Sequence, residues 1–413
     1  MSDELQRPLT ADDPRLPAVR ARLFLLVRAL ARQGVLRMPL ASNAGPPLTL
    51  HWLPTLWQRL RVELLGPTLL NEVIPAIERR MNSTGQREAR LSHDLPPRAT
   101  VDWPATWRQQ LRQPFQTPLV TRHWQRDLDL PQNRLARAAL TAVAHDASQS
   151  AVDLPLGEER MLLSRLGERA SQRLSAMPWR EISAQTPVID PSDLTRTLRG
   201  EAWRRLAQWW QAWQQWQPPH AAAGGVVLDP ALEADWLFEL LVLFELLMEL
   251  ASRFSLWQSR SLGDAAQRPL FVGRSAAGRF ALYYQSGSMF RDQRSLQAVR
   301  AIPDIVIELP ASRGYVLIDA KNYGPQGHSQ AIYKLLGYLY QFGYDAESGH
   351  RFEQIQGGIL VFPTEEREGR GLHAWQRPVA GAQPVLGLVL PPTGNDQYSG
   401  MAELGQWLAT RIA

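Results

Sequence analysis

Two short apolar runs constrain this chain more than any other feature. Ile302-Pro303-Asp304-Ile305-Val306-Ile307-Glu308-Leu309 and Tyr315-Val316-Leu317-Ile318-Asp319-Ala320 flank the segment Pro310-Ala311-Ser312-Arg313-Gly314. Apolar, β-branched runs of this length bounded by Pro and Gly read as buried strands, and the segment between them reads as a turn. The turn brings the strands side by side and Asp304 near Asp319. Strand side chains alternate, so Asp319 and Lys321 point to one side while Ile318 and Ala320 point to the other. A carboxylate among such residues is costly to bury unless it is paired or metal-bound.

The lysine count sharpens this. Of 45 basic residues only Lys321 and Lys334 are lysines. A chain that writes nearly every cation as arginine keeps lysine where a wide planar fork does not fit and a compact ammonium does. Charge is also unevenly placed. Formal charge is +8 through Gly225 and −3 from Val226 onward. Within the front part, Arg79–Arg137 holds 11 arginines against 5 acids. That stretch is the candidate phosphate-contacting surface, with a solvated helical surface as the alternative.

The chain reads as three segments. Residues 1–112 are mainly helical with many proline breaks, a possible DNA or partner contact, and Met81–Thr100 reads as a polar loop. Residues 113–225 form a second helical region ending in the linker Pro218–Gly225. Helices are expected over Asn133–Ala144 and Glu158–Ala176. Trp203, Leu206, Trp210 and Trp213 mark one face of a helix over Glu201–Gln217, a stripe more often found in a core than on nucleic-acid bases. From 226 to 413 the order is a long apolar helix (Ala231–Phe254), strands, a helix over Ser329–Phe342, two more strands and a closing helix. This predicts an α/β (α+β) domain with a mixed sheet. No cysteine is present, which excludes disulfide scaffolds and cysteine zinc sites. The polar N-terminus and the glutamates in the longest apolar run argue against a signal peptide and a membrane span, so a cytoplasmic protein with no membrane partner is expected.

Asp304, Asp319 and the carbonyl of Ala320 offer hard oxygen donors suited to Mg²⁺, with Mn²⁺ able to substitute, and leave room for water and a phosphate oxygen. Such a metal would lower the pKa of its water and neutralise phosphate charge. Lys321 would orient or deprotonate that water and stabilise the charged transition state. The alternative is purely structural: two aspartates at a buried edge and a salt-bridged lysine.

The pattern Pro303-Asp304 with Asp319-Ala320-Lys321 resembles the PD-(D/E)XK nuclease superfamily. That resemblance implies a restriction-endonuclease-like core, Mg²⁺-dependent phosphodiester hydrolysis and an acidic residue from the preceding core helix. In Trp236-Leu237-Phe238-Glu239-Leu240-Leu241 this position falls to Glu239, which the resemblance implies as a catalytic residue and a metal ligand beside Asp304, Asp319 and Ala320, with Glu233 and Glu245 as rivals. The helix after the motif would steer phosphate through Gln330, Tyr333 or Lys334. The family's Gln-x-x-x-Tyr pattern is not met, since Lys334 follows Gln330 by four. Phe238-Glu239-Leu240, Leu282-Tyr283-Tyr284-Gln285 and Asp319-Ala320-Lys321-Asn322-Tyr323 are further similar to the nuclease subunit of McrBC-type restriction systems. Leu130-Pro131-Gln132-Asn133-Arg134 is similar to a Pro-Glu-Asn-Arg motif of those subunits, with Gln132 departing from it. The resemblance implies DNA as substrate, an antiviral defence role and a separate AAA+ NTPase or other defence subunit as partner. The chain carries no Gly-x-x-x-x-Gly-Lys-Ser/Thr motif. Two other readings stand beside it: a non-cleaving subunit that binds DNA or activates a partner, and a recombination or repair nuclease for branched DNA. The eight histidines show no metal-ligand spacing, and no Gly-x-Ser-x-Gly elbow is present.

Overall fold

The computed structural model describes residues 8–10, 12–37, 53–79, 81, 83–92, 100–112, 119–152, 154, 157–184, 200–216, 230–259, 268–285, 303–310, 314–345, 349–350, 355–363, 372–374, 385–390 and 399–413. Met1–Trp57 and Gln217–Ala413 form one compact unit, and Gln58–Trp216 forms the other. Among the described residues no helix is long and apolar enough to cross a membrane. The linker Pro218–Gly225 lies outside the described residues.

In chain order, α1 (Leu16–Arg32) is followed by α2 (Leu53–Thr68), which passes through a π turn at Leu69–Val73 into α3 (Ile74–Glu78). Then come β1 (Thr84–Ser92), β2 (Thr100–Val101), α4 (Trp103–Arg112), β3 (Leu119–Asp127), α5 (Pro131–Val152), α6 (Glu158–Ser175) and α7 (Glu201–Gln215). The segment read as a loop, Met81–Thr100, instead holds β1, which pairs antiparallel with β3 from Thr84↔Asp127 to Ser92↔Leu119. Its sequence is polar, and only the distant partner makes it a strand. The region read as mainly helical therefore carries a three-stranded sheet in the order β1-β3-β2.

The core of the second unit is helical. Leu140, Val143, Leu163, Leu166, Trp203, Leu206 and Trp213 are all buried in one cluster. The tryptophan stripe is core, as its spacing favours, but Trp209 joins it rather than Trp210. Trp209 stacks on Trp213 at 4.9 Å and donates its indole N–H to the Leu65 carbonyl at 2.8 Å. Asn133, of the upstream motif, is fully buried and donates to the Leu128 carbonyl at 2.7 Å. Arg134 holds Asp129 at 2.6 Å. Both fasten the first turn of α5. Within Arg79–Arg137, Arg108 and Arg112 are exposed on α4, whereas the arginine side chains of β1 and β3 lie outside the described set.

The first unit continues with α8 (Pro230–Ala251), β4 (Ser255–Gln258), β5 (Phe271–Ser275), β6 (Gly278–Tyr284), β7 (Ile305–Glu308), β8 (Tyr315–Ala320) and α9 (His328–Gly343). A two-residue pair, β9 (Tyr344–Asp345) and β10 (Gly349–His350), precedes β11 (Ile355–Phe362), β12 (His373–Ala374), β13 (Val385–Val389) and α10 (Ser399–Ile412). The sheet runs β12-β13-β11-β8-β7-β6-β5-β4. It is mixed: β11 is parallel to both β8 and β13, while β4 to β8 form an antiparallel meander. Helix α8 is mostly apolar because it packs against α1, α10, β4 and β8, and its glutamates Glu245 and Glu249 are paired with Arg22 and Arg253. Helix α9 covers β11, burying Ala331, Leu335, Tyr338 and Leu339 against Val306, Leu317, Leu360 and Phe362.

The two units do not follow the three sequence segments. Residues before Trp57 belong with the C-terminal sheet through specific contacts. Arg22 on α1 pairs with the buried Glu245 of α8 at 2.7 Å. The backbone N–H of Gln258 in β4 donates to the Val35 carbonyl at 2.8 Å. The Asn322 amide grips the Leu9 backbone at both ends, accepting from its N–H at 2.7 Å and donating to its carbonyl at 2.8 Å. None of these pairings has a periodic signature in the sequence.

Gly273 shows how closely the antiparallel strands approach. It faces Phe280 across the β5–β6 ladder, and a Cβ at this position would lie 2.1 Å from the Phe280 ring. Gly273→Ala is expected to lower stability by about 1–3 kcal/mol, the range for overpacking a filled core. Thermal unfolding of the full chain checks this, and an unchanged midpoint would contradict the packing.

Candidate active site

The centre of the sheet sets the geometry. Ile305 of β7 is in register with Ile318 of β8, and one further step sets Asp304 opposite Asp319. Asp304 is anchored twice: its Oδ2 accepts the Ala320 N–H at 2.8 Å, and its carbonyl accepts the Gln285 N–H at 2.8 Å. The Lys321 N–H donates to the Val361 carbonyl at 2.9 Å, so pairing with β11 continues past the end of β8. Lys321 Nζ lies 3.1 Å from Asp304 Oδ2 and 2.8 Å from Asp319 Oδ1. It also donates to the Ala320 carbonyl at 3.2 Å. The ammonium thus touches all three groups expected to offer oxygens to a cation. All three residues are enclosed, with Asp304 7%, Asp319 0% and Lys321 6% exposed.

Burial pushes the Asp304 pKa well above the ordinary aspartate value, and the charges of Asp319 and Glu239 add to the rise. Burial acts to lower the Lys321 pKa, but Asp304 and Asp319 outweigh it and hold the amine above its usual value. Asp319 is the most exacting member. Its two oxygens are buried and meet no donor in good hydrogen-bonding geometry; the Lys321 ammonium and the Asp304 carboxyl lie beside them. An enclosed carboxylate oxygen without a donor is costly, and a cation would remove that cost. The set suits a hard divalent ion. Mg²⁺ is commonly held by one or two carboxylates and keeps several waters. Among the described residues no three His, Cys, Asp or Glu side chains group closely enough to hold a metal by themselves. A cation at this point would therefore rest on Asp304, Asp319 and the Ala320 carbonyl.

Glu239 reaches this neighbourhood from α8. Its Oε2 accepts from the Tyr284 hydroxyl at 3.1 Å and from the Gln285 amide at 3.0 Å. Burial raises its pKa; the Lys321 charge, Gln285 and Tyr284 oppose the rise, and Asp319 adds to it. Of its rivals, Glu245 is committed to Arg22, and the Glu233 side chain lies outside the described residues. Gln330, Tyr333 and Lys334 stand on the exposed side of α9, and Tyr333 is 75% exposed. Lys334 Nζ sits 5.7 Å from the centre of the Tyr338 ring. Tyr338 is the member of that helix whose hydroxyl senses the site: burial raises its pKa, and the Asp319 charge raises it further.

Sequence reasoning singled out neither Tyr284 nor Gln285 as a site residue. Tyr284 is buried and accepts the Trp236 indole N–H at 2.8 Å. Gln285 has φ +46°, and among the described residues no other non-glycine residue has a positive φ. Such a conformation costs on the order of 1–3 kcal/mol and persists where surroundings enforce it. The signals available in sequence were their place in the Leu282-Tyr283-Tyr284-Gln285 segment that carries the resemblance and their position at the end of the strand beside Asp304.

No family model matches this chain, and no curated protein matches it. Among solved structures it is similar to a chain of the refined half-complex from the tetradecameric assembly of Thermococcus gammatolerans McrB AAA+ hexamers with bound McrC. That likeness has 12% identity and a TM-score of 0.34, over 98% of this chain and 78% of the other. A chain of the cryo-EM structure of the Thermococcus gammatolerans McrBC complex is similar at 14% identity and a TM-score of 0.22, over 60% of this chain and 61% of the other.

Proposed function

We propose that this chain is a divalent-metal-dependent DNA endonuclease whose centre is Asp304, Asp319 and Lys321. The observation that carries the reading is the enclosed Asp319 oxygen without a donor, beside a second buried carboxylate and one of the chain's two lysines. Asp304, Asp319 and the Ala320 carbonyl would hold the ion, which supplies Lewis acidity to the phosphate and acidity to a bound water. The side chains do the rest. The Asp304 carboxylate is oriented by the Ala320 N–H, and its backbone is held by the Gln285 N–H. Lys321, pinned between two carboxylates, orients the attacking water and offsets charge on the scissile phosphate. Tyr338 of α9 is buried close enough to feel the charges of Asp319, Lys321 and Asp304. The motif resemblance to McrBC-type nuclease subunits extends the proposal to a restriction or antiviral system with a separate AAA+ NTPase.

The test is cleavage of supercoiled plasmid by the full chain, alone and with a candidate AAA+ NTPase partner. Nicked or linear product is expected with Mg²⁺ or Mn²⁺ and none with EDTA. Cutting that persists in EDTA, or intact plasmid under every condition, would sink the proposal.

A further inference from the structure

Two consecutive residues reach one carboxylate oxygen. Tyr284 and Gln285 both donate to Oε2 of Glu239, at 3.1 Å and 3.0 Å. Along a regular strand this does not happen, because successive side chains project to opposite faces. Tyr283 obeys the rule: its hydroxyl donates elsewhere, to Glu308 at 2.8 Å. The exception begins at Gln285, where φ is +46°. The backbone there still donates its N–H to the Asp304 carbonyl, so the ladder is kept to its last bond while the side chain is redirected. Gln285 also donates to the Tyr284 hydroxyl at 3.3 Å, and Trp236 donates to that same hydroxyl. One residue thus links the Glu239 carboxylate on α8 to the backbone of Asp304.

Resting on the nuclease reading, we propose that Gln285, in its left-handed conformation, and Tyr284 are positioning residues that hold Glu239 beside the Asp304–Asp319–Lys321 centre as its third carboxylate. Oε2 takes both hydrogen bonds and Oε1 takes neither. The carboxylate is thereby fixed in orientation and offers one oxygen to the waters or ligands of the centre. Nothing in a fold-only role calls for a glutamine here: a glycine would adopt this backbone without strain.

That difference supplies the test. Gln285→Gly keeps the backbone conformation and removes the amide, so the full-length variant should fold with an unfolding midpoint close to that of the unsubstituted chain. Mn²⁺ binding is measured by electron paramagnetic resonance titration, without DNA and without turnover. Gln285→Gly and Tyr284→Phe are each expected to weaken Mn²⁺ affinity by about 10-fold, the lower end for residues that orient a metal site's ligands. In a Glu239→Ala background, Gln285→Gly should add no further loss, because its effect runs through that carboxylate. Unchanged Mn²⁺ affinity in both single variants overturns the positioning role while leaving the nuclease reading intact. So does a loss that is fully additive with Glu239→Ala. Failure of the unsubstituted chain to bind Mn²⁺ would overturn the nuclease reading, and this inference with it.

Discussion

Asp319→Asn should abolish Mg²⁺-dependent cleavage while leaving the fold intact. The substitution keeps the volume of a fully buried side chain and removes the charge. It also takes one of two charge partners from the buried Lys321 ammonium, which keeps Asp304, so the fold is expected to hold with some loss of thermal stability without metal. Activity is expected to fall by at least about 10²–10³-fold, the scale for losing one preorganised electrostatic contact in a water-excluded site. Asp304→Ala should be equally inactive, but less well tolerated, since its carboxylate also accepts the Ala320 N–H. Plasmid nicking and thermal unfolding, measured on the same preparations, separate the two effects. Cleavage near the unsubstituted rate in Asp319→Asn would mean that the carboxylate pair serves structure alone.

Lys321→Arg should cost at least ~10²-fold in cleavage, the lower end for a positioned proton-transfer or water-orienting group. Charge is conserved, so charge is not what fails. Lys321 is 6% exposed, and its ammonium touches Asp304, Asp319 and the Ala320 carbonyl within 3.2 Å. A planar guanidinium is wider and spreads its donors into a fork, so it does not repeat the three contacts that converge on one ammonium nitrogen. Lys334→Arg is the matched control. That side chain stands on the exposed side of α9, and an arginine can lie over the Tyr338 ring as the lysine does. Near-normal cleavage by both variants would remove any meaning from the two lysines among 45 basic residues.

A cut in the Pro218–Gly225 linker, the natural division on sequence grounds, would part α1 from α8 and leave Glu245 buried without Arg22. Any assignment of DNA affinity to the arginine-rich front part therefore needs substitutions in the full chain, with Arg108 and Arg112 of α4 as exposed starting points.

The site was legible where its chemistry coincides with a short-range pattern. Apolar runs of strand length bounded by Pro and Gly located β7 and β8, and their hairpin turn implied that Asp304 and Asp319 would meet. Period-2 alternation paired Asp319 with Lys321. Apolar content over a long stretch marked α8 as a core helix, and helical spacing marked the tryptophan stripe as core. These are properties of neighbouring residues, set by backbone geometry and by the cost of exposing apolar surface. What lay beyond them depended on residues far apart in the chain. The polar segment at Thr84–Ser92 became a strand only because Leu119–Asp127 could pair with it. Glu239 and Glu245 look alike on one helix, and only tertiary packing set Arg22 against one and Tyr284 with Gln285 against the other. The turn of Gln285 into a left-handed conformation runs against the local rule for strands, so no reading of period could locate it. It exists because contacts from a distant helix and an adjacent strand together outweigh the strain at one residue.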